Sequence, residues 1–165
     1  MSKGVKTMEL QYLYKNNDKV IKQIAHIHEH IPYQYDQNYE TNALEIALRI
    51  ESMKLLLAYN DEIFYVTDGD DNEHAPRIIA YIWYTIDCNK NETFIYIKST
   101  YVHPDYRQQG YATLLKDSVK NVAIQKGINR IESKVHKNNI SMRQLNLKLG
   151  YKIKDNIMYL EVPHD

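Results

Sequence analysis

Residues 103 to 115, "HPDYRQQGYATLL", hold the densest chemistry in this chain. Arg107-Gln108-Gln109-Gly110-Tyr111-Ala112 joins a guanidinium and a glycine to the head of a helix-like run. The first turn of such a helix has free N–H groups and a positive dipole end, so it suits a pyrophosphate. Gly110 permits close backbone approach or an unusual dihedral. Pro104 cannot donate to a ladder and turns the chain away from a strand that ends near Val102. The plain alternative is a strand-to-helix connector, since glycine-containing turns are common. Two nucleotide signatures, G-x-x-x-x-G-K-[ST] and G-x-G-x-x-G with a following acidic residue, do not occur.

Two further stretches carry reactive side chains. In "NNISMRQLNLKLGYK" (138 to 152), Ser141-x-x-Gln144 reads as a capping box that starts a helix at 141. Met142, Leu145 and Leu149 then form its buried stripe and Gly150 ends it. Asn139 lies just before that helix, and Asn146 one turn beyond Met142, where the plain alternative is a solvated position. In "HIHEHIPYQYDQNYE" (26 to 40), His26 and His30 share a helix face, as a metal pair would. Zinc needs further ligands and none follows at suitable spacing, so no metal is expected. Cys88 is the only cysteine, which excludes an intrachain disulfide and points to a packing role.

These residues act only if elements bring them together. "MELQYLYK" (8 to 15) alternates as a first strand after a loose tail, 1 to 7. A helix follows with Asn17 or Asp18 as its cap and Pro32 as its stop. After a polar, aromatic loop, a second helix carries Leu44, Ala47, Leu48, Ile50, Leu55 and Tyr59. Segments 62 to 68, 77 to 87 and 92 to 102 read as an antiparallel meander, with "CNKN" turning between the last two. "GDDNEHAP" (69 to 76) is a loop. Then come a helix (109 to 126), a strand (130 to 135), the helix at 141 and a hairpin of "YKIKD" and "MYLEV". Leu114, Leu115, Val119, Val122 and Ala123 should form the inward face of the 109–126 helix. Two helices, a meander, then alternation indicate a mixed α/β sheet.

In that order, "YVHPDYRQQGYATLL" resembles the acetyl-CoA motif of the GNAT acyltransferase superfamily, V-x-P-x-[YF]-[RQ]-x-x-G-x-[GA]. "NNISMRQLNLKLGYK" resembles its second motif in Asn139, Met142, Asn146, Gly150 and Tyr151. The resemblance is specific over residues 92 to 155. It implies one α+β GNAT-like domain over residues 1–165: a central mixed, mostly antiparallel, twisted sheet of about seven strands with about four helices on its faces. It further implies an acetyl-CoA-dependent N-acetyltransferase that acts on a primary amine of a small molecule or protein by direct attack in a ternary complex. Backbone groups of Thr100, Tyr101 and Val102 would line the pantetheine arm, with Val102 N–H polarising the thioester carbonyl. Arg107 and the backbone of Gln108, Gln109, Gly110, Tyr111, Ala112 and Thr113 would take the pyrophosphate. Asn139 and Asn146 would approach from the facing wall. Tyr33, Tyr35, Asp36 and Tyr39 border the expected acceptor cleft.

Catalysis departs from the family pattern. Many members carry a tyrosine acid where this chain has Asn146, and an amide is no general acid at neutral pH. Many carry a glutamate base where this chain has Lys98 or Tyr96. Glu92, Asp87, His103 and the early histidines remain as candidate bases. The alternatives are a non-catalytic acyl-CoA-sensing module and a transferase for a larger acyl group.

With 21 basic and 21 acidic side chains the net charge is zero, which removes the simplest case for nucleic acid or an anionic membrane surface. No run has signal-peptide character or is long and apolar enough to span a bilayer, so the cytoplasm is the expected location. An edge of the C-terminal hairpin offers a contact for a homodimer.

Overall fold

The computed structural model of the chain describes residues 9–69 and 77–163. The expected tail and nearly all of the 69–76 loop, with its acidic run, lie outside the described residues. The elements are β1 (Gln11–Tyr12), α1 (Asp18–His30), α2 (Ala43–Leu57), β2 (Asp61–Thr67), β3 (Ile78–Asn89), β4 (Glu92–Val102), α3 (Tyr111–Lys126), β5 (Arg130–Ser133), α4 (Ile140–Lys148), β6 (Lys152–Lys154) and β7 (Ile157–Glu161). Short 3-10 turns, Ile31–Gln34 and Pro104–Tyr106, follow α1 and β4.

One seven-stranded sheet has the order β1-β2-β3-β4-β5-β7-β6. All neighbours are antiparallel except β4 and β5. The single α+β domain expected from the sequence is the observed one, including the meander and the final hairpin.

Period-two alternation sorts each strand between two cores. On one face Ile63, Tyr65, Tyr81 and Trp83 pack under α1 and α2, against Ile21, Ile24 and Met53. On the other, Ala80, Ile82, Tyr84, Ile95, Ile97 and Ile131 pack with Leu115, Val119 and Ala123 of α3.

Several local expectations are corrected. The first strand shrinks from 8–15 to Gln11–Tyr12, because the chain turns at once into α1, whose cap Asn17 accepts the Val20 N–H. The "CNKN" turn narrows to Lys90-Asn91, both at positive φ, 48° and 69°, as a two-residue hairpin turn requires. This carries Cys88 to the exposed end of β3, so it is not a packing residue. The predicted capping box at Ser141 does not form. Asn139 is the cap, its Oδ1 accepting the Met142 N–H at 3.2 Å, and the helix starts one residue earlier. On α2, Leu44, Leu48 and Leu55 face outward, as does Tyr59 just past its end; Met53 is buried in the core, and the expected Ile50 packs against it with Leu56 and Leu57. On α3, Leu114 is 40% exposed and Lys116 takes the inward position instead.

Candidate functional site

The site originates in a defect of strand pairing. β4 pairs with β3 from Glu92 to Val102. It pairs with β5 only at Ile95, Ile97 and the residue between them. Beyond Ile97, no described strand covers the β5-side edge of β4. The two parallel strands splay, and the continuation of β5 (134–139) leads away to α4.

The register places a bulge at the splay. Tyr84 pairs with Ile97 and Trp83 with Ser99, so Lys98 is the extra residue. Above it the backbone polarity is set by one bond: His103 N–H donates to Ile79 C=O at 2.7 Å. Successive residues alternate direction in an antiparallel ladder, so Tyr101 faces β3 while Thr100 and Val102 turn N–H and C=O into the gap. Arg107 Nε donates to Val102 C=O at 3.1 Å. The Val102 N–H therefore points into the gap beside a carbonyl already engaged.

The chain then reverses through Pro104–Tyr106 into the glycine stretch. Gln108 and Gly110 both hold left-handed φ, 63° and 88°, which delays the helix from the expected 109 to 111. Gly110 is the N-cap and offers no side chain, so the first-turn N–H groups of Ala112 and Thr113 receive no side-chain cap among the described residues. A Cβ added to Gly110 would meet no described atom within 4 Å. The loop thus presents backbone donors and the positive helix end to open space, which fits a pyrophosphate.

On the facing wall the two asparagines part company. Asn139 caps α4 beside the splay. Asn146 is fully buried, which removes the solvated alternative. Its Nδ2 lies 3.5 Å from Met158 Sδ on β7, and its Oδ1 has no partner among the described residues. Nearby, Lys116 is wholly buried, with Nζ 5.2 Å from the centre of the Tyr151 ring and unpartnered among the described residues. Burial holds its amine down at about 7. Sequence reasoning missed Lys116. The available signal was its spacing to Val119 and Ala123, which is that of the inward face.

The opposite side of the sheet, under α1 and α2, carries a second polar cluster. Lys98 Nζ reaches Asp61 Oδ2 at 2.5 Å and stands 5.2 Å from the centre of the Trp83 ring. Trp83 Nε1 donates to the same Asp61 oxygen at 2.8 Å. His28 meets Trp83 edge-on at 5.0 Å. Burial, then the nearby Arg49 charge, lowers His28 to about 4, so its ring is neutral at ordinary pH. Glu29 receives Arg49 Nε at 2.6 Å and Tyr39 O–H at 3.3 Å. Tyr35 stacks on His136 at 4.6 Å, joining the loop after α1 to the loop after β5. Asp36 closes its own turn by accepting the Asn38 N–H, and Tyr33 accepts the Thr41 N–H. Of the four candidates in this loop, Tyr39 reaches the cluster directly, through Glu29, while Tyr35 stacks on His136. Asp61, Trp83 and Arg49 were not foreseen, because only the sheet register and the α1–α2 packing bring them together.

The other base candidates lie elsewhere. Glu92 is ten residues before Val102 on one extended strand, about 33 Å away. Asp87 sits opposite Phe94 near that same end. His103 accepts the Asp105 N–H at 3.1 Å and so serves its turn. His26 and His30 pack ring on ring at 4.4 Å, and no group of three or more ligating side chains that could hold a metal occurs among the described residues. Two shallow depressions of about 520 Å³ and about 210 Å³ flank Glu92 and Arg130, far from the splay. No described helix is long and apolar enough to cross a membrane.

Comparison with known proteins agrees with this geometry. No curated protein matches the chain by sequence. Among solved structures, a Staphylococcus aureus subsp. aureus protein described as a GNAT family acetyltransferase is 32% identical, with a TM-score of 0.62 over 74% of this chain and 96% of its own. A PaiA N-acetyltransferase from Thermoplasma acidophilum in complex with coenzyme A shares the fold at 18% identity and TM-score 0.68, covering 93% of this chain and 99% of its own. An aminoglycoside acetyltransferase from an uncultured soil metagenomic sample, in complex with sisomicin, shares it at 13% identity and TM-score 0.69, over 90% of each chain. The Acetyltransferase (GNAT) family model matches residues 24–151, a span that runs from α1 past the splayed strands and through α4. The chain therefore belongs to the GNAT acetyltransferase family.

Proposed function

We propose that the chain transfers the acetyl group of acetyl-CoA to a primary amine by direct attack in a ternary complex. The observation that carries this reading is the uncovered β4 edge at Thr100–Val102 leading into the uncapped head of α3. An extended pantetheine arm could add to that edge as a strand does, and the glycine turn suits the pyrophosphate. Val102 N–H points into the gap, where it would meet the charge that develops on a thioester oxygen, an oxyanion-hole type of effect. Holding the two substrates together supplies much of the remaining acceleration. In the transfer the amine nitrogen bonds to the acetyl carbon as the carbon–sulfur bond breaks. The proton released from nitrogen balances the one taken up by the thiolate, and solvent can carry it.

Calorimetry with CoA and acetyl-CoA, followed by thiol release with a panel of amines, tests the proposal. Failure to bind either ligand at millimolar concentration would end it. A second reading is a sensor that binds acyl-CoA without turnover. It is favoured by the buried state of Asn146 and by the commitment of Lys98 to Asp61, which leave neither usual acid nor usual base. Tight binding with no thiol release on any amine would select it.

A further inference from the structure

The α1–α2 side of the splay contains two ion pairs built in the same sense. In each, the carboxylate is buried and the cation is the more exposed partner. The Asp61 side chain is 2% exposed and that of Lys98 27%. Glu29 is 8% exposed and Arg49 35%. Each carboxylate is also held from behind by a second donor, Trp83 Nε1 or Tyr39 O–H. An incoming molecule therefore meets the cations first.

The two cations also address one place. Lys98 Nζ and the His28 ring both lie about Trp83, and Glu29, the next residue of α1, holds Arg49. His28 Nδ1 is buried with no partner among the described residues, so the cluster holds a polar atom that is not yet engaged. Lys98 is the bulge residue beside the uncovered edge of β4, so this cluster adjoins the expected thioester position.

We infer that the acceptor carries an anionic group, in the simplest case a carboxylate beside its amine, and that Arg49 and Lys98 recognise it. This rests on the acetyltransferase reading and names its acceptor class. Arginine and lysine are the usual partners of a carboxylate, arginine through its planar fork. The same wall disfavours a polycation.

The test pairs α-amino acids with their own amides, and adds spermidine and an aminoglycoside as cationic amines. Binding to the CoA-loaded protein is read by calorimetry, and turnover by thiol release. The expected result is a preference for acids over amides of about tenfold or more, with the cations poorest. Arg49→Gln should bring the acid-to-amide ratio toward one, and Arg49→Lys should restore part of it, with CoA affinity unchanged in both. Amides or cations bound as well as acids would overturn the inference, whether or not turnover occurs. Loss of CoA binding itself would instead sink the acetyltransferase reading, and the acceptor assignment with it.

Discussion

Replacing Lys116 with methionine should make this protein more stable at neutral pH, although it removes a charged, wholly buried side chain. Among the described residues the ammonium has one favourable contact, the face of Tyr151 at 5.2 Å. Burial lowers its pKa from 10.5 to about 7. A lysine whose pKa falls on folding holds its proton more weakly in the native state. The unfolded chain then binds more protons between pH 7 and 10.5, so stability rises with pH through that window. Below about pH 7 the full cost applies. Each tenfold change in proton affinity is about 1.4 kcal/mol, so the drop from 10.5 to about 7 amounts to roughly 5 kcal/mol. Cation–π attraction and local relaxation reduce what is observed, and a gain of about 2–4 kcal/mol for Lys116→Met at pH 7 is expected. Methionine keeps the length and flexibility of the stem. Urea unfolding at pH 6, 7.5 and 9 reads the effect. The gain should be largest at pH 6 and smallest at pH 9. A variant less stable than the parent at pH 6, or a gain that does not change with pH, would refute the reasoning, because it would mean that the ammonium is satisfied in the folded state.

Three further outcomes follow from the site. Gly110→Val adds a Cβ that meets no described atom but forces a branched residue to φ 88°; the fold should survive at a cost of about 1–2 kcal/mol, while CoA affinity by calorimetry falls at least about tenfold. Val102→Pro removes a donor that faces the gap and not the β3 ladder, so kcat should drop about a hundredfold with CoA affinity changed far less, and an unchanged kcat would deny that N–H its role. Asp61→Asn leaves the Lys98 charge without its partner beside Trp83 and should cost about 3 kcal/mol in urea unfolding, with the Asp61→Asn, Lys98→Met double variant recovering more than half.

Much of the scaffold was legible in one dimension because it depends on local rules. Asn17 and Gly150 mark helix ends by capping chemistry, and the β-branched, aromatic runs around Trp83 and Ile95 announce strands. The glycine stretch was legible for the same reason, since the donors it offers belong to the backbone at a helix head. Local rules also misled. Ser141 carries a capping box in sequence, yet Asn139 reaches the Met142 N–H first. Leu44, Leu48, Leu55 and Tyr59 have helical spacing and still face outward, because periodicity gives a stripe and not the partner that would cover it.

The sequence by itself determined the order of elements, the family motifs and the glycine turn proposed to take a pyrophosphate, all functions of neighbours within a few residues. Only the tertiary structure decided what makes up the proposed acceptor site. Asp61 begins β2, Trp83 lies in β3, Lys98 is the bulge in β4, and His28 and Arg49 come from two helices. Their meeting depends on strand register, where a slip of one residue would turn each side chain to the other face. Burial made the same kind of difference: Lys116 and Asn146 read as ordinary polar helix residues until packing removed their solvent, and desolvation is a property of the surroundings rather than of the residue.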